Sequence, residues 1–96
     1  MKRAEVLTIL ETYREPLQIL GVNSLELFGS VARDEARPDS DVDFLVEFKI
    51  EATLFDLFQV QHYLEDILKC KVDLGTKSAL RQHLREPVLQ EAIRAF

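Results

Sequence analysis

Apolar residues recur at helical spacing along the start of the chain, where Val6, Ile9, Leu10, Tyr13 and Leu17 share one face and Glu, Lys and Arg fill the other. The pattern predicts a helix that buries one face, weakened near its end by Pro16. Gly21-Val22-Asn23-Ser24 supplies turn residues, and Leu25 to Phe28 is a short strand candidate that stops at Gly29. From Ser30 to Ala36 the residues favour a short helix with Ser30 at its N-cap, broken by Arg37-Pro38-Asp39-Ser40. Val42 to Phe48 then alternates: Val42, Phe44, Val46 and Phe48 take one side, and Asp41, Asp43, Leu45 and Glu47 the other.

Thr53 to Leu68 places Leu54, Leu57, Phe58, Gln61, Leu64 and Leu68 on one helical face, and Cys70 to Gly75 reads as a third strand. In that strand Cys70, Val72 and Leu74 point to the core, while Asp73 points the opposite way. Ser78 to Phe96 predicts a short helix through about Leu84 and another after Pro87, a residue favoured in a first helical turn. Strands separated by helices make this an α/β domain, with about three strands flanked by about four to five helices. Strand order and direction do not follow from the pattern.

Composition bounds the object. The 96 residues suit one domain spanning 1–96, and 47% hydrophobic residues fill one modest core. Seventeen acidic against 12 basic residues give a net charge of −5, which argues against a basic groove and against direct nucleic-acid binding. The single cysteine, Cys70, forms no intramolecular disulfide and is expected to pack as a small apolar residue. With no apolar signal core and no apolar run near the roughly 20 residues that cross a bilayer, a soluble, cytoplasmic protein without membrane contact is expected.

The candidate chemistry lies in Gly29-Ser30, followed after ten residues by Asp41-Val42-Asp43. Gly29 admits close approach of backbone to phosphate, and Ser30 at a helix start adds a hydroxyl and the positive end of a helix dipole. Two positions apart on a strand, Asp41 and Asp43 have Cα atoms about 7 Å apart and side chains on one face. They can share a pair of magnesium ions, which stabilise the attacking and leaving oxygens of a displacement at phosphorus. Asp73, on matching parity in the third strand, is the third ligand or the base that activates the nucleophile. Arg33, one turn after Ser30, adds positive charge toward the same phosphates, and Lys77 is a weaker candidate for that duty.

Each piece has a plainer reading: a lone Gly-Ser is a turn, and a lone Asp-x-Asp is a solvated loop. The ordered combination on strand, turn, loop and strand carries the inference. His62 and His83 lack ligand spacing to each other or to a cysteine and read as surface histidines. Phe55 and Tyr63 fall off the main apolar face of their helix, as surface aromatics or part of a partner patch. A calcium loop starting at Asp39 is excluded because Phe44 holds the required glycine position and Ile50 the final glutamate position. A Walker loop is excluded because no Gly-Lys-Ser/Thr follows Gly29.

At Gly29-Ser30 and Asp41-Val42-Asp43 the chain resembles the minimal nucleotidyltransferases of the polymerase-beta-like superfamily. Ala32-Arg33, Arg37-Pro38-Asp39-Ser40 and Val72-Asp73-Leu74 extend the likeness over nearly the whole chain. Asp34 departs from it, standing where related sequences often have Gly; Asp tolerates left-handed backbone well. The resemblance implies a small polymerase-beta-like fold with a short mixed sheet. It also implies the antitoxin of a type VII pair, which transfers AMP from ATP to a tyrosine of a HEPN-type RNase toxin encoded by an adjacent gene. In that scheme Asp41 and Asp43 hold Mg2+, Asp73 helps deprotonate the hydroxyl, and pyrophosphate leaves toward Gly29 and Ser30. The alternatives are nucleotidyl transfer to a small molecule or RNA, and a non-catalytic antitoxin acting by occlusion.

Overall fold

The N-terminal helix breaks at Tyr13. In the computed structural model, which describes residues 2–34, 41–76 and 92–96, α1 spans Arg3–Thr12 and α2 spans Arg14–Ile19. Pro16 has no N–H to donate to the Thr12 carbonyl and its ring crowds that carbonyl, so a single continuous helix is not available. Val6, Leu10 and Leu17 are fully buried, and Gly21 at φ 98° turns the chain into the sheet.

β1 spans Val22–Phe28, starting earlier than Leu25 because a register irregularity between Val22 and Ser24 lets Val22 rejoin the core-facing side. A one-turn helix, α3 (Gly29–Ala32), follows. Then come β2 (Val42–Phe48), α4 (Leu54–Leu68), β3 (Val72–Thr76) and β4 (Ile93–Arg94). The sheet has four strands in the order β3-β2-β1-β4. It is mixed: β1 runs antiparallel to β2 and β4, and β2 runs parallel to β3. The sequence pattern counted about three strands, and the extra one lies where a helix to Phe96 was expected. Ile93 pairs with Leu27, Arg94 pairs with Glu26, and the Ala95 N–H donates to the Leu25 carbonyl at 2.8 Å. These bonds satisfy backbone groups that β1 would otherwise leave bare at the sheet edge. Phe96 is thereby buried in the core beneath the Arg14 guanidinium, 5.6 Å from its ring centre. The expected helices after Ser78 and Pro87, and residues 35–40, lie outside the described residues.

Val42, Phe44 and Val46 face the helices and join Leu10, Leu25, Leu27, Leu64 and Leu74 in one core cluster. Leu45 is also buried, on the Asp43 side of the strand and outside that cluster. In α4, Thr53 and Asp56 form a capping box, with the Asp56 N–H donating to Thr53 Oγ1 at 3.3 Å. Its buried face is Val60, Leu64 and Leu68, with Leu57, Tyr63 and Ile67 beside it. The expected face is corrected here: Leu54 and Phe58 are exposed, whereas Tyr63 packs edge-on to Tyr13 at 6.2 Å between ring centres. Among the described residues no helix is long and apolar enough to cross a membrane.

The rotated α4 face yields a direct comparison. Leu64→Ala is expected to destabilise the protein by about 2–5 kcal/mol, and Leu54→Ser to stay within about 0.5 kcal/mol, both read from urea unfolding midpoints. Equal losses would return Leu54 to the buried face.

Candidate active site

β2 lies between β1 and β3, so backbone pairing alone decides what stands beside Asp43. On one side its partner is Phe28, the last residue of β1; on the other it is Asp73 of β3. Parallel partners in register share a face of the sheet and sit on strands about 4.8 Å apart, so the carboxylates of Asp43 and Asp73 emerge side by side. Asp41 stands two residues earlier, exposed, just before β2 begins. The three aspartates nominated from strand parity are brought to one end of the β2–β3 pair.

The charges register this crowding. The Asp43 carboxyl is pushed above its ordinary value, first by burial, then by the negative charges of Asp73 and Asp41, with Arg33 opposing. Asp43 thus lies within electrostatic reach of two further carboxylates, groups that only accept when ionised.

Gly29 follows Phe28 at φ 77°, which suits glycine and strains other residues. A side chain there has no room in any case: a Cβ would collide with Asp43 Oδ2 and come within 3.2 Å of its Cγ. Close approach is therefore demanded by the Asp43 carboxyl itself. Ser30 is the second residue of α3 and not its N-cap. Phe28, still extended at φ −139° and ψ −177°, holds the cap position and makes no side-chain cap bond. The predicted capping role is corrected accordingly, because the helix starts at Gly29, two residues too early for it. One helical turn sums few peptide dipoles, so what this turn offers an anion is chiefly its N–H groups and the Ser30 hydroxyl. Arg33 caps the C-terminus of α3, its N–H donating to the Gly29 carbonyl at 3.2 Å, and its charge reaches Asp43. Asp34 is left-handed at φ 59°, a backbone that Asp tolerates well.

Two residues that sequence reasoning left out of the site brace its third carboxylate. On α4 the Gln61 amide donates to the Val72 carbonyl at 2.9 Å, and the Val72 N–H donates to Glu65 Oε2 at 3.2 Å. Together they satisfy both backbone groups of the residue before Asp73, on the side of β3 away from β2. The signal was present as a polar residue within an apolar helical stretch, with a carboxylate four residues on. Cys70 is half-buried, and burial pushes its thiol up, away from nucleophilic duty. His62 is exposed on α4, 3.9 Å from Glu65. Lys77 and His83 lie outside the described residues.

A model of the nucleotidyltransferase domain matches residues 6–95. The protein adenylyltransferase MntA of Thermococcus cleftensis is 38% identical over 90 residues, which span 93% of this chain and 91% of that protein. Among solved structures, one that carries the name minimal nucleotidyltransferase superposes with a TM-score of 0.82 at 39% identity, covering 97% of this chain and 95% of that one. A chain in the complex of tri-AMPylated Shewanella oneidensis HEPN toxin with MNT antitoxin shares the fold, with a TM-score of 0.60 at 16% identity over 90% of this chain and 71% of that one.

Two outcomes follow from the geometry around Asp43. Gly29→Ala is expected to lose at least about 1 kcal/mol of stability from left-handed backbone strain alone, seen as a lower Tm. An unchanged Tm would rule out that strain. Asp43→Asn, without nucleotide or metal, is expected to melt higher than wild type at pH 7. The folded carboxyl keeps its proton to higher pH than the unfolded chain's, whose ordinary value is 3.8. The associated stability is therefore present below that value and lost as pH rises through the raised one. The advantage of Asn should accordingly vanish on acidification; an advantage independent of pH would rule out this cause.

Proposed function

Because the chain belongs to the nucleotidyltransferase domain family, we propose that it is a protein adenylyltransferase, moving AMP from ATP to a tyrosine hydroxyl of a partner HEPN RNase toxin and thereby acting as its antitoxin. The observation that carries the reading is the register that sets Asp43 beside Asp73, with Gly29 turning the backbone directly over the Asp43 carboxylate. A second support is the protein adenylyltransferase name of the T. cleftensis relative, and a third is the fold shared with the AMPylated toxin complex.

The donor set fits magnesium. Asp41, Asp43 and Asp73 offer hard oxygens, and a divalent cation relieves both the burial and the neighbouring negative charges that raise the Asp43 carboxyl. Among the described residues no group of three His, Cys, Asp or Glu is arranged as a ready metal cage. Magnesium binds through one or two carboxylates together with substrate phosphates, so such a cage is not required. Bound there, the ion supplies charge neutralisation for the transferring phosphoryl group.

The chain's own groups have distinct duties. Asp73 accepts the proton of the acceptor hydroxyl as its oxygen attacks the α-phosphorus, and the bond from that phosphorus to the pyrophosphate oxygen breaks. The backbone of Gly29 and Ser30 and the Ser30 hydroxyl donate to the departing pyrophosphate, and Arg33 balances its charge. A protein acceptor suits the surface at the other end of the sheet. There Ile19, Ile50, Phe55 and Phe58 are exposed around Leu20, an apolar grouping of the kind that meets another protein.

Incubation with ATP, magnesium and the HEPN partner, followed by intact mass measurement, is expected to show added AMP on the partner. An Asp41→Ala/Asp43→Ala variant should lower the rate by at least about 100-fold. No added AMP, or transfer by the double variant at the wild-type rate, would sink the proposal.

A further inference from the structure

We infer that Arg3 and Asp34 form a reciprocal clasp that positions the Gly29–Arg33 turn and holds Arg33 toward the nucleotide phosphates, an inference that rests on the nucleotidyl-transfer reading above. α1 begins without a cap of its own, since Lys2 at its N-cap makes no side-chain cap bond. The missing acceptor comes from across the fold: the Arg3 N–H donates to Asp34 Oδ1 at 3.2 Å. A carboxylate at a helix N-terminus satisfies an orphan donor and meets the positive end of the dipole. In return the Arg3 guanidinium donates to the Ala32 carbonyl at 3.1 Å. Ala32 is the last residue of α3, and its carbonyl is among those a helix leaves without an intrahelical partner.

The two bonds run in opposite directions across one joint and fasten the residues on either side of Arg33. That residue's charge is the one that opposes the rise of Asp43. The turn needs such support, because a single helical turn is not self-sustaining. α1 is a firm backing for it, with Val6 and Leu10 fully buried, and Val31 and Ala32 seat α3 in the same core. The clasp also accounts for aspartate at position 34. Glycine would satisfy the left-handed backbone at φ 59° equally well but could not supply the carboxylate. Arg3 and Asp34 are positioning residues, acting through Arg33 and the turn.

The test compares Arg3→Ala and Asp34→Gly with the conservative Arg3→Lys and Asp34→Asn, which retain a donor or an acceptor. Thr53→Ala is the control, since it removes the capping box of α4 at the far end of the sheet. With ATP, magnesium and the HEPN partner, Arg3→Ala and Asp34→Gly should each raise the KM for ATP about 5–20-fold, in line with supporting residues of a site. Their kcat should change less, and the conservative variants should stay near wild type. Thr53→Ala should lower Tm comparably and leave the KM unmoved. Amide hydrogen exchange of a peptide covering residues 28–34, read without substrate, should quicken in the first two variants and not in the control. A lower Tm with unchanged KM reduces the clasp to a structural tie, and unchanged exchange removes it altogether. If wild type neither transfers AMP nor binds ATP while exchange still quickens, the functional reading falls and the joint between α1 and α3 stands.

Discussion

The register of β2 between its two neighbours is the constraint on which the site depends. Backbone hydrogen bonding sets Phe28, Asp43 and Asp73 in one row, and a slip of one residue would turn every side chain of β2 to the other face. Such a slip would expose Val42, Phe44 and Val46, all buried with at most 1% exposure. Burying a side chain of that kind is worth about 1.5–3 kcal/mol, so the core penalises any misregister heavily. The same alternation that fills the core therefore crowds the carboxylates, and Asp43 carries the electrostatic consequence. Folding holds together a group of like charges that would otherwise separate.

Much of this was legible because it rests on the period of a strand. The parity of Val42 to Phe48 and of Val72 to Leu74 needs only alternation, and it placed Asp43 and Asp73 on one side before any pairing was known. Asp41 and Gly29 were legible from residue chemistry. The α4 face was read less well. Leu54, Phe55, Phe58 and Val60 are apolar on more than one side of the helix, and periodicity cannot choose among apolar stripes without knowing which surface the helix meets. The structure chooses Val60, Leu64 and Leu68, whereas Leu54 and Phe58 stay exposed. Gln61 was counted on that face for its spacing alone, and its amide is committed to the Val72 carbonyl.

The chain's last residues were unreadable for a different reason. Ile93 to Phe96 carries too few residues for periodicity to separate helix from strand, and the outcome depends on a distant partner. The unsatisfied edge of β1 decides it, and non-local pairing of this kind leaves no local signature. The Ser30 cap failed by two residues, because the extended Phe28 at the end of β1 takes the cap position and the helix starts at Gly29.

The outer sides of β1 and β3 are each tied close to the site, and each tie bears on the chemistry. β4 and the Ala95–Leu25 bond cover the outer side of β1, whose final residue hands the chain to Gly29. Gln61 and Glu65 cover Val72 on the outer side of β3, directly before Asp73. A small sheet cannot rely on many further strands for rigidity, and an open edge invites fraying as well as unwanted pairing. The edges here are tied at the residues adjoining the site, one by a strand from the end of the chain and one by side chains of α4. Rigidity is thus concentrated where the carboxylates must keep their separation, in a domain with a core too modest to supply it everywhere.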